Sequence, residues 1–514
     1  MTDQTGRPFD IIIRGGTIID GTRQPRFDAD VGIRDGFIAA IGDLSEAQAP
    51  ITLEARGKIV APGFIDSHTH DDHAVLSDPD MTFKISQGVT TVVTGNCGIS
   101  LAPLRPDLPR PMPQSLLGAG EQSPRTFERF ADYLDVLRRA PASVNVAAMV
   151  GHTTLRLMTM DSLDRAAQPE EVAAMRALLI EALDAGAIGV STGTYYPPAA
   201  MAPIEEVIEV CRPIAGTGAV FATHMRNEAE GCVDSLNESF EIGRALDAPV
   251  VISHHKLIGE ANFGKSAVTL PLIGAAMKCQ CLALDCYPYA ASSTMLHTDE
   301  ARLQGRVLIA ECEQHPEYVG RDLADIAEEW QVSRLEAARR LQPASAIYFI
   351  MNEGDVRNIL AFEHTMVGSD GLPGGKKPHP RLWGTFPRVL GHYSRDVGLF
   401  SLETAVWKMS GLTAKNFGLA NRGTIAAGHH ADVVVFDATT VIDKATYDTP
   451  TEPAEGIETV IVNGALTWHQ GAHRGARHGQ IITRKVITRM GQTSPHKRAL
   501  EIGTAERAPQ TDRN

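Results

Sequence analysis

Phe64-Ile65-Asp66-Ser67-His68-Thr69-His70 decides the fold class, because a short apolar run passes directly into two alternate histidines. In an extended chain residues i and i+2 share a face, so His68 and His70 project to one side with Cα atoms ~7 Å apart. The run is short for a helix and reads as a buried strand that presents metal-type side chains at its C-terminal end. Seven more apolar runs follow, at 90–94, 145–150, 187–191, 219–224, 249–254, 282–286 and 365–370. Helical segments separate them; the stretch 169–185 opens on Pro169-Glu170-Glu171 and stops at Gly186, the usual punctuation of a helix. Eight parallel strands alternating with helices predict an α/β fold of the (β/α)8 TIM-barrel type, with working residues at the strand C-termini.

The first sixty residues differ in texture. Short β-type runs at 11–14, 17–19, 30–33 and 37–41 are broken by Gly15-Gly16, Asp20-Gly21 and Asp35-Gly36, which is the turn chemistry of a small β structure. The pattern returns at 431–437 and 459–464, so both chain ends are expected to build one small β-sandwich domain. The expected organisation is the first part of that domain at 1–62, the catalytic barrel at 63–414, the second part at 415–484 and a polar tail at 485–514. The stretch between Cys286 and Thr365 exceeds an ordinary loop. Helical patches at 304–312 and 323–341 predict a subdomain inserted after strand seven, at about 287–345, placed to cover the barrel mouth.

The 514 residues carry 48 Lys plus Arg against 62 Asp plus Glu, a net charge of −14. That balance disfavours a nucleic-acid partner, which needs a basic face to neutralise phosphates. No run approaches the roughly 18 apolar residues of a membrane span, and residues 1–13 lack the features of a secretory signal. A cytoplasmic protein with a small-molecule substrate and no membrane partner is expected; oligomeric state is left open. The seven cysteines lack the paired spacing of a zinc ribbon or disulfide framework. Cys279 and Cys281 read as small buried side chains in an apolar strand, which leaves Cys97 as the cysteine with a chemical role.

Metal-type residues gather at five of the eight strand ends: His68 and His70 at the first, Cys97 after the second, His224 at the fifth, His254 at the sixth and Asp370 at the eighth. One interior histidine needs no ligand role, whereas this distribution argues for a metal centre. Nitrogen and sulfur donors beside one carboxylate suit zinc better than magnesium or calcium. In Ser253-His254-His255-Lys256 neighbours face opposite sides; His254 and Lys256 share one parity, His255 is assigned to packing or to supporting the ligands, and periodicity alone leaves open which parity faces inward. Asp370 is expected to take a proton from a water whose pKa the metal lowers to about 7.

At these tracts the chain closely resembles the N-acyl-D-amino-acid deacylases (D-aminoacylases) of the amidohydrolase superfamily, from about residue 9 to 484. The resemblance rests on Pro62-Gly63-Phe64-Ile65-Asp66-Ser67-His68-Thr69-His70-Asp71-Asp72, Gly95-Asn96-Cys97-Gly98, Thr223-His224-Met225-Arg226-Asn227-Glu228, Ser253-His254-His255-Lys256 and Gly368-Ser369-Asp370-Gly371. It implies a tightly held zinc on Cys97, His224 and His254, with a second, weaker metal position at His68 and His70 bridged by Cys97. Related cyclic-amide hydrolases carry a carbamylated lysine at the fourth strand, and 187–191 contains no lysine.

Similarity also nominates Lys256, Tyr287, Ser293 and Arg381 as binders of a substrate carboxylate, with Tyr196 in the substrate loop. That loop, Thr192-Gly193-Thr194-Tyr195-Tyr196-Pro197-Pro198, departs from the more usual Leu-containing version, which points to an altered side-chain pocket. The implied activity is zinc-dependent cleavage of N-acyl-D-amino acids, first those with hydrophobic side chains, to a carboxylate and the free D-amino acid. N-acyl-D-glutamate or D-aspartate is the alternative within the family. A cyclic-amide hydrolase and a noncatalytic assembly protein on the same fold are the outside alternatives.

Overall fold

The apolar runs form a ring of parallel strands. Phe64–Asp66 pairs with Val89–Thr94 and that strand with Asn145–Ala148. Val150–Gly151, Gly189–Gly193, Val220–His224, Val250–Ile252, Leu282–Cys286 and Thr365–Val367 continue in the same sense. The third strand is in two pieces around Met149, whose N–H donates to Thr94 O at 3.0 Å. The last strand meets the first through a parallel bridge between Thr69 and Gly371. The computed structural model describes residues 8–105 and 125–484; the expected tail at 485–514 lies outside the described residues.

Side chains from one face of the strands and their entries fill the ring: Ile65, Val93, Ala147, Ile188, Val220, Ala222, Val251, Ala283 and Met366 pack in a single cluster with Leu412 and Phe417. The opposite faces, among them Val92, Val190, Phe221, Val250, Leu284 and Val367, pack in the larger core shared with the surrounding helices. Both faces are therefore apolar, which is why the strands read as continuous runs without alternation. Pro169–Ala185 is a helix whose Gln168 and Glu171 form a capping box, with Gly186 ending it at φ 121°.

Strands from both chain ends share one nine-stranded sheet. Its joint is the antiparallel pairing of Ile59–Pro62 with Val433–Phe436. Ile11–Ile18 branches: residues 11–14 pair with Ile51–Glu54, and after the irregularity at Gly15-Gly16, residues 17–18 pair with Ile59–Pro62. Ile13, Val31, Ile38, Val60, Val433 and Ile461 pack together inside this domain.

Two local expectations are corrected. The patch at 304–312 is not helical: Val307–Cys312 is a strand, paired antiparallel with Ala344–Tyr348, which also pairs with Ser292–Met295. Val307 and Ile309 pack on the helices Leu323–Trp330 and Arg334–Arg340, while Leu308 and Ala310 pack on Ala291 and Ile347. Burial of both faces removes the alternation that marks a strand. Cys279 and Cys281, expected to be buried, are exposed, because the strand begins only at Leu282 and they sit in the turn before it.

Candidate metal centre and its pocket

Residues at and just beyond the strand C-termini converge on one point. Cys97 Sγ lies 3.2 Å from His68 Nε2 and 3.4 Å from His254 Nε2. Donor atoms of Cys97, His224 and His254 all lie within 4.8 Å of one another, as do those of His68, His70 and Cys97, and those of His68, His254 and Asp370. Asp370 Oδ1 sits 3.3 Å from His70 Nε2 and 3.6 Å from His68 Nε2. The imidazoles of His224 and His254 are 4.4 Å apart and near-perpendicular.

The backbone makes this convergence by leaving extended geometry. Cys97, His254 and Asp370 have φ of 53°, 35° and 49°, a region costing non-glycine residues of order 1–3 kcal/mol and kept only where surrounding structure enforces it. Packing enforces it here. Gly95 has φ 76°, and a Cβ on it would meet Met149 O at 2.1 Å; a Cβ on Gly193 would meet Cys97 O at 2.1 Å. His255 turns the other way and contacts Thr269 Oγ1 through Nε2 at 2.9 Å.

The donor set suits a cation. Burial, reinforced by Lys256 and His224, lowers the His254 imidazole to about 4, and burial with His254 nearby takes His68 well below its usual value. Both rings are therefore neutral at pH 7 and keep a lone pair for a metal. Burial pushes the Cys97 thiol well up, with Asp370 adding to the effect; a bound divalent ion reverses that balance and takes the thiolate. Neither ring nitrogen of His224 has a hydrogen-bond partner although both are sealed from solvent. Buried polar atoms are normally paired, and a metal ligand is the role that satisfies one of them.

Two carboxylates that sequence reasoning left unassigned support the centre. Glu228 Oε1 accepts from Lys256 Nζ at 2.6 Å and lies 3.2 Å from His254 Nδ1, while Oε2 is 3.5 Å from His224 Nε2. Asp285 Oδ1 accepts from His254 N at 2.7 Å and lies 3.7 Å from His68 Nδ1; burial pushes it to about 8. Their signals were present: Glu228 follows His224 by four positions, and Asp285 is a lone charge in Leu282-Ala283-Leu284-Asp285-Cys286.

Burial pushes the Asp370 carboxyl up, but Arg381 and the surrounding histidines outweigh it and hold it well below the usual range. Arg381 is 1% exposed; its Nη1 lies 2.9 Å from Asp370 Oδ2, its Nη2 donates to Ser293 O at 3.1 Å, and its Nε has no partner. The Tyr287 ring lies between two cations, 4.6 Å from the Arg381 guanidinium and 5.8 Å from Lys256 Nζ. A cavity of about 480 Å3 opens beside these groups, walled by Tyr195, Tyr196, His224, Lys256, Ser293 and Asp370 among others, a size suited to a small molecule. Arg381 and Tyr287 stand behind that wall rather than on it. The Tyr196 hydroxyl lies 3.2 Å from Thr294 Oγ1, which ties its loop to the inserted sheet. Arg302, not singled out in the sequence, also lines the cavity.

The chain matches the amidohydrolase family over residues 52–257 and 291–467. It is 59% identical to a D-aminoacylase of Alcaligenes xylosoxydans xylosoxydans, covering 94% of this chain and 99% of that one. It is 51% identical to an N-acyl-D-aspartate deacylase of the same organism, covering 93% and 96%. Among solved structures it is similar to N-acyl-D-glutamate deacylase from Bordetella bronchiseptica, complexed with zinc and a phosphonate inhibitor that mimics the tetrahedral intermediate of the reaction. That match has a TM-score of 0.89 and 45% identity, and covers 93% of this chain and 100% of that one.

Proposed function

Since the chain belongs to the amidohydrolase family, we propose that it is a zinc-dependent deacylase that hydrolyses the amide bond of N-acyl-D-amino acids. The observation that carries this is Cys97, His224 and His254 meeting within 4.8 Å, with Asp370 equally close to His68 and His254, in a chain 59% identical to a D-aminoacylase. Cys97, His224 and His254 are the ligands of the tightly held zinc, with His68, His70 and Cys97 offering a second position. Zinc, when bound, supplies Lewis-acid polarisation of the acyl carbonyl and lowers the pKa of the attacking water.

The rest of the work falls to the chain. Asp370 is charged at neutral pH and within reach of both His68 and His70. It accepts the proton lost as water adds to the acyl carbon, then gives that proton to the departing nitrogen as the C–N bond breaks. The products are a carboxylate and the free D-amino acid. Lys256 and Ser293 on the cavity wall, with Tyr287 and Arg381 buried behind them, form the site for the substrate carboxylate, where a charged hydrogen bond is worth about 1.5–3 kcal/mol. Glu228 and Asp285 orient His254.

A specific observation favours an acidic substrate side chain over a hydrophobic one. The Arg302 guanidinium lies 4.5 Å from the Tyr195 ring centroid, on the cavity wall, and Asp299 is 3.9 Å away, beyond hydrogen-bond length. Arg226, also on the wall, is already paired with Glu238 at 2.8 Å. A steady-state screen of zinc-loaded protein with N-acetyl-D-methionine, -leucine, -glutamate and -aspartate, their L-enantiomers and dihydrouracil tests both readings. Turnover of the D-amides alone is expected, with the acidic ones best. Turnover of dihydrouracil, or of none of the amides, would sink the deacylase reading.

A further inference from the structure

At the C-terminal ends of the first and last barrel strands lies a cation that the reaction scheme does not use. Lys84, in the short helix Thr82–Ile85, is 0% exposed. Its Nζ donates to Asp66 Oδ2 at 2.7 Å and to Ser369 Oγ at 2.9 Å, and lies 3.3 Å from Asp71 Oδ2. Burial disfavours the ammonium, but Asp66 and Asp71 outweigh it and keep the group charged. A buried charge is tolerated only where it is paired and hydrogen-bonded, and the partners here belong to the segments that carry His68, His70 and Asp370.

The connections around Asp370 form a closed set. Ser369 N donates to Asp66 Oδ1 at 2.8 Å and Gly371 N to Ser369 Oγ at 3.1 Å. Asp370 N donates to His68 O at 2.8 Å, and His70 N to Gly371 O at 3.2 Å. Asp370 itself is held at φ 49°. Ser369 Oγ is thus an acceptor shared by Lys84 and the peptide N–H that follows Asp370. Three residues after Lys84, Gln87 Nε2 donates to Leu382 O at 2.8 Å, in the helix that begins at Arg381.

We propose that Lys84 is a positioning residue of the hydrolysis: through Asp66 and Ser369 it locks the left-handed turn that aims Asp370 at His70. Lys84 is paired with Asp66, Asp71 and Ser369 rather than with a metal donor, and Ser369 is the partner that adjoins Asp370. The proposal rests on the deacylase reading for its kinetic consequence, and on geometry alone for its structural one.

Lys84→Met keeps the length of the side chain and removes the charge; Ser369→Ala removes the link to the turn without unpairing a buried ion. Both are measured for zinc per chain, melting temperature, and kcat and KM on the best N-acetyl-D-amino acid. Zinc content is expected to stay at the wild-type ratio and KM to hold within about threefold, while kcat falls on the order of 10²-fold in Lys84→Met and about tenfold in Ser369→Ala. Wild-type kcat in a folded variant overturns the proposal, and so does a loss of kcat that tracks loss of zinc. If Lys84→Met does not fold, Ser369→Ala decides. A crystal structure of either variant reads the geometry without any substrate: Asp370 displaced from His70 supports the role, and the contact kept at 3.3 Å overturns it. Should wild-type protein hydrolyse no N-acyl-D-amino acid, the deacylase reading fails while this structural test still stands.

Discussion

Arg381 Nη1 lies 2.9 Å from Asp370 Oδ2, so the cation nominated for the substrate carboxylate also grips the carboxylate nominated for proton transfer. Arg381→Ala is therefore expected to damage both steps. KM for N-acyl-D-amino acids should rise and kcat should fall, each on the order of tenfold or more, from the loss of a charge-assisted contact worth about 1.5–3 kcal/mol. A rise in KM with kcat unchanged would confine Arg381 to substrate recognition.

Asp370→Asn removes the proton acceptor and leaves Cys97, His224 and His254 in place. Zinc per chain by elemental analysis should match wild type, and kcat should drop on the order of 10²–10⁴-fold. Near-normal turnover in the zinc-loaded variant would take Asp370 out of the proton-transfer role.

Zinc depends on Cys97 through chemistry as well as geometry. Burial holds the thiol well above its usual pKa without a cation, so binding zinc must release a proton, and affinity should rise with pH. Chelation should abolish activity and added zinc restore it. Cys97→Ser should lose zinc under conditions where wild type retains it. Full zinc content in that variant would remove the sulfur from the ligand set.

Arg302→Leu tests what reads the side chain. Loss of the guanidinium from the cavity wall should lower kcat/KM for N-acetyl-D-glutamate or D-aspartate on the order of 10–100-fold, and leave N-acetyl-D-leucine equal or better. Equal changes on acidic and apolar substrates would show that Arg302 does not face the side chain.

Acid stability follows from a buried cluster behind the substrate loop. Glu206 pairs with Arg156 and accepts from Ala167 N at 2.7 Å, and Arg156 Nε donates to Pro198 O at 2.9 Å in the loop that carries Tyr196. Burial raises the Glu206 carboxyl, but contacts with His152, the Ala167 N–H and Arg156 bring it down to about 2 from 4.5. Its folded value is depressed, so its contribution is fully present above pH 4.5 and is lost as pH falls toward 2. Glu206→Gln should lower the melting temperature at pH 7, by an amount corresponding to about 2 kcal/mol after screening, and should flatten its dependence between pH 4.5 and about 2. An unchanged pH slope would locate the acid sensitivity elsewhere.

How much of this was legible in sequence varies by element. The barrel strands were, because a strand covered on both faces must be apolar throughout and each ends where its polar residues begin. The insertion strand Val307–Cys312 defeated the same reasoning: without alternation, an apolar run beside a helical segment carries no period to separate the two states. Lys84 and Arg302 were also silent. In Thr82-Phe83-Lys84-Ile85 and Glu300-Ala301-Arg302 a cation looks like an ordinary solvated side chain, and only the fold brings carboxylates to one and a cavity to the other.

What the sequence alone determined is therefore the repeating unit and the chemical inventory at its ends: eight apolar runs, and His68, His70, Cys97, His224, His254 and Asp370 at or just past the ends of five of them. Tertiary structure decided where those side chains aim. Strand parity carries the position of Val251 into the ring and would carry Ser253 after it; the left-handed turn at His254 overrides this and brings His254 to Cys97 instead. Such turns cost free energy locally and are held by packing from residues distant along the chain, so no pattern of neighbours records them.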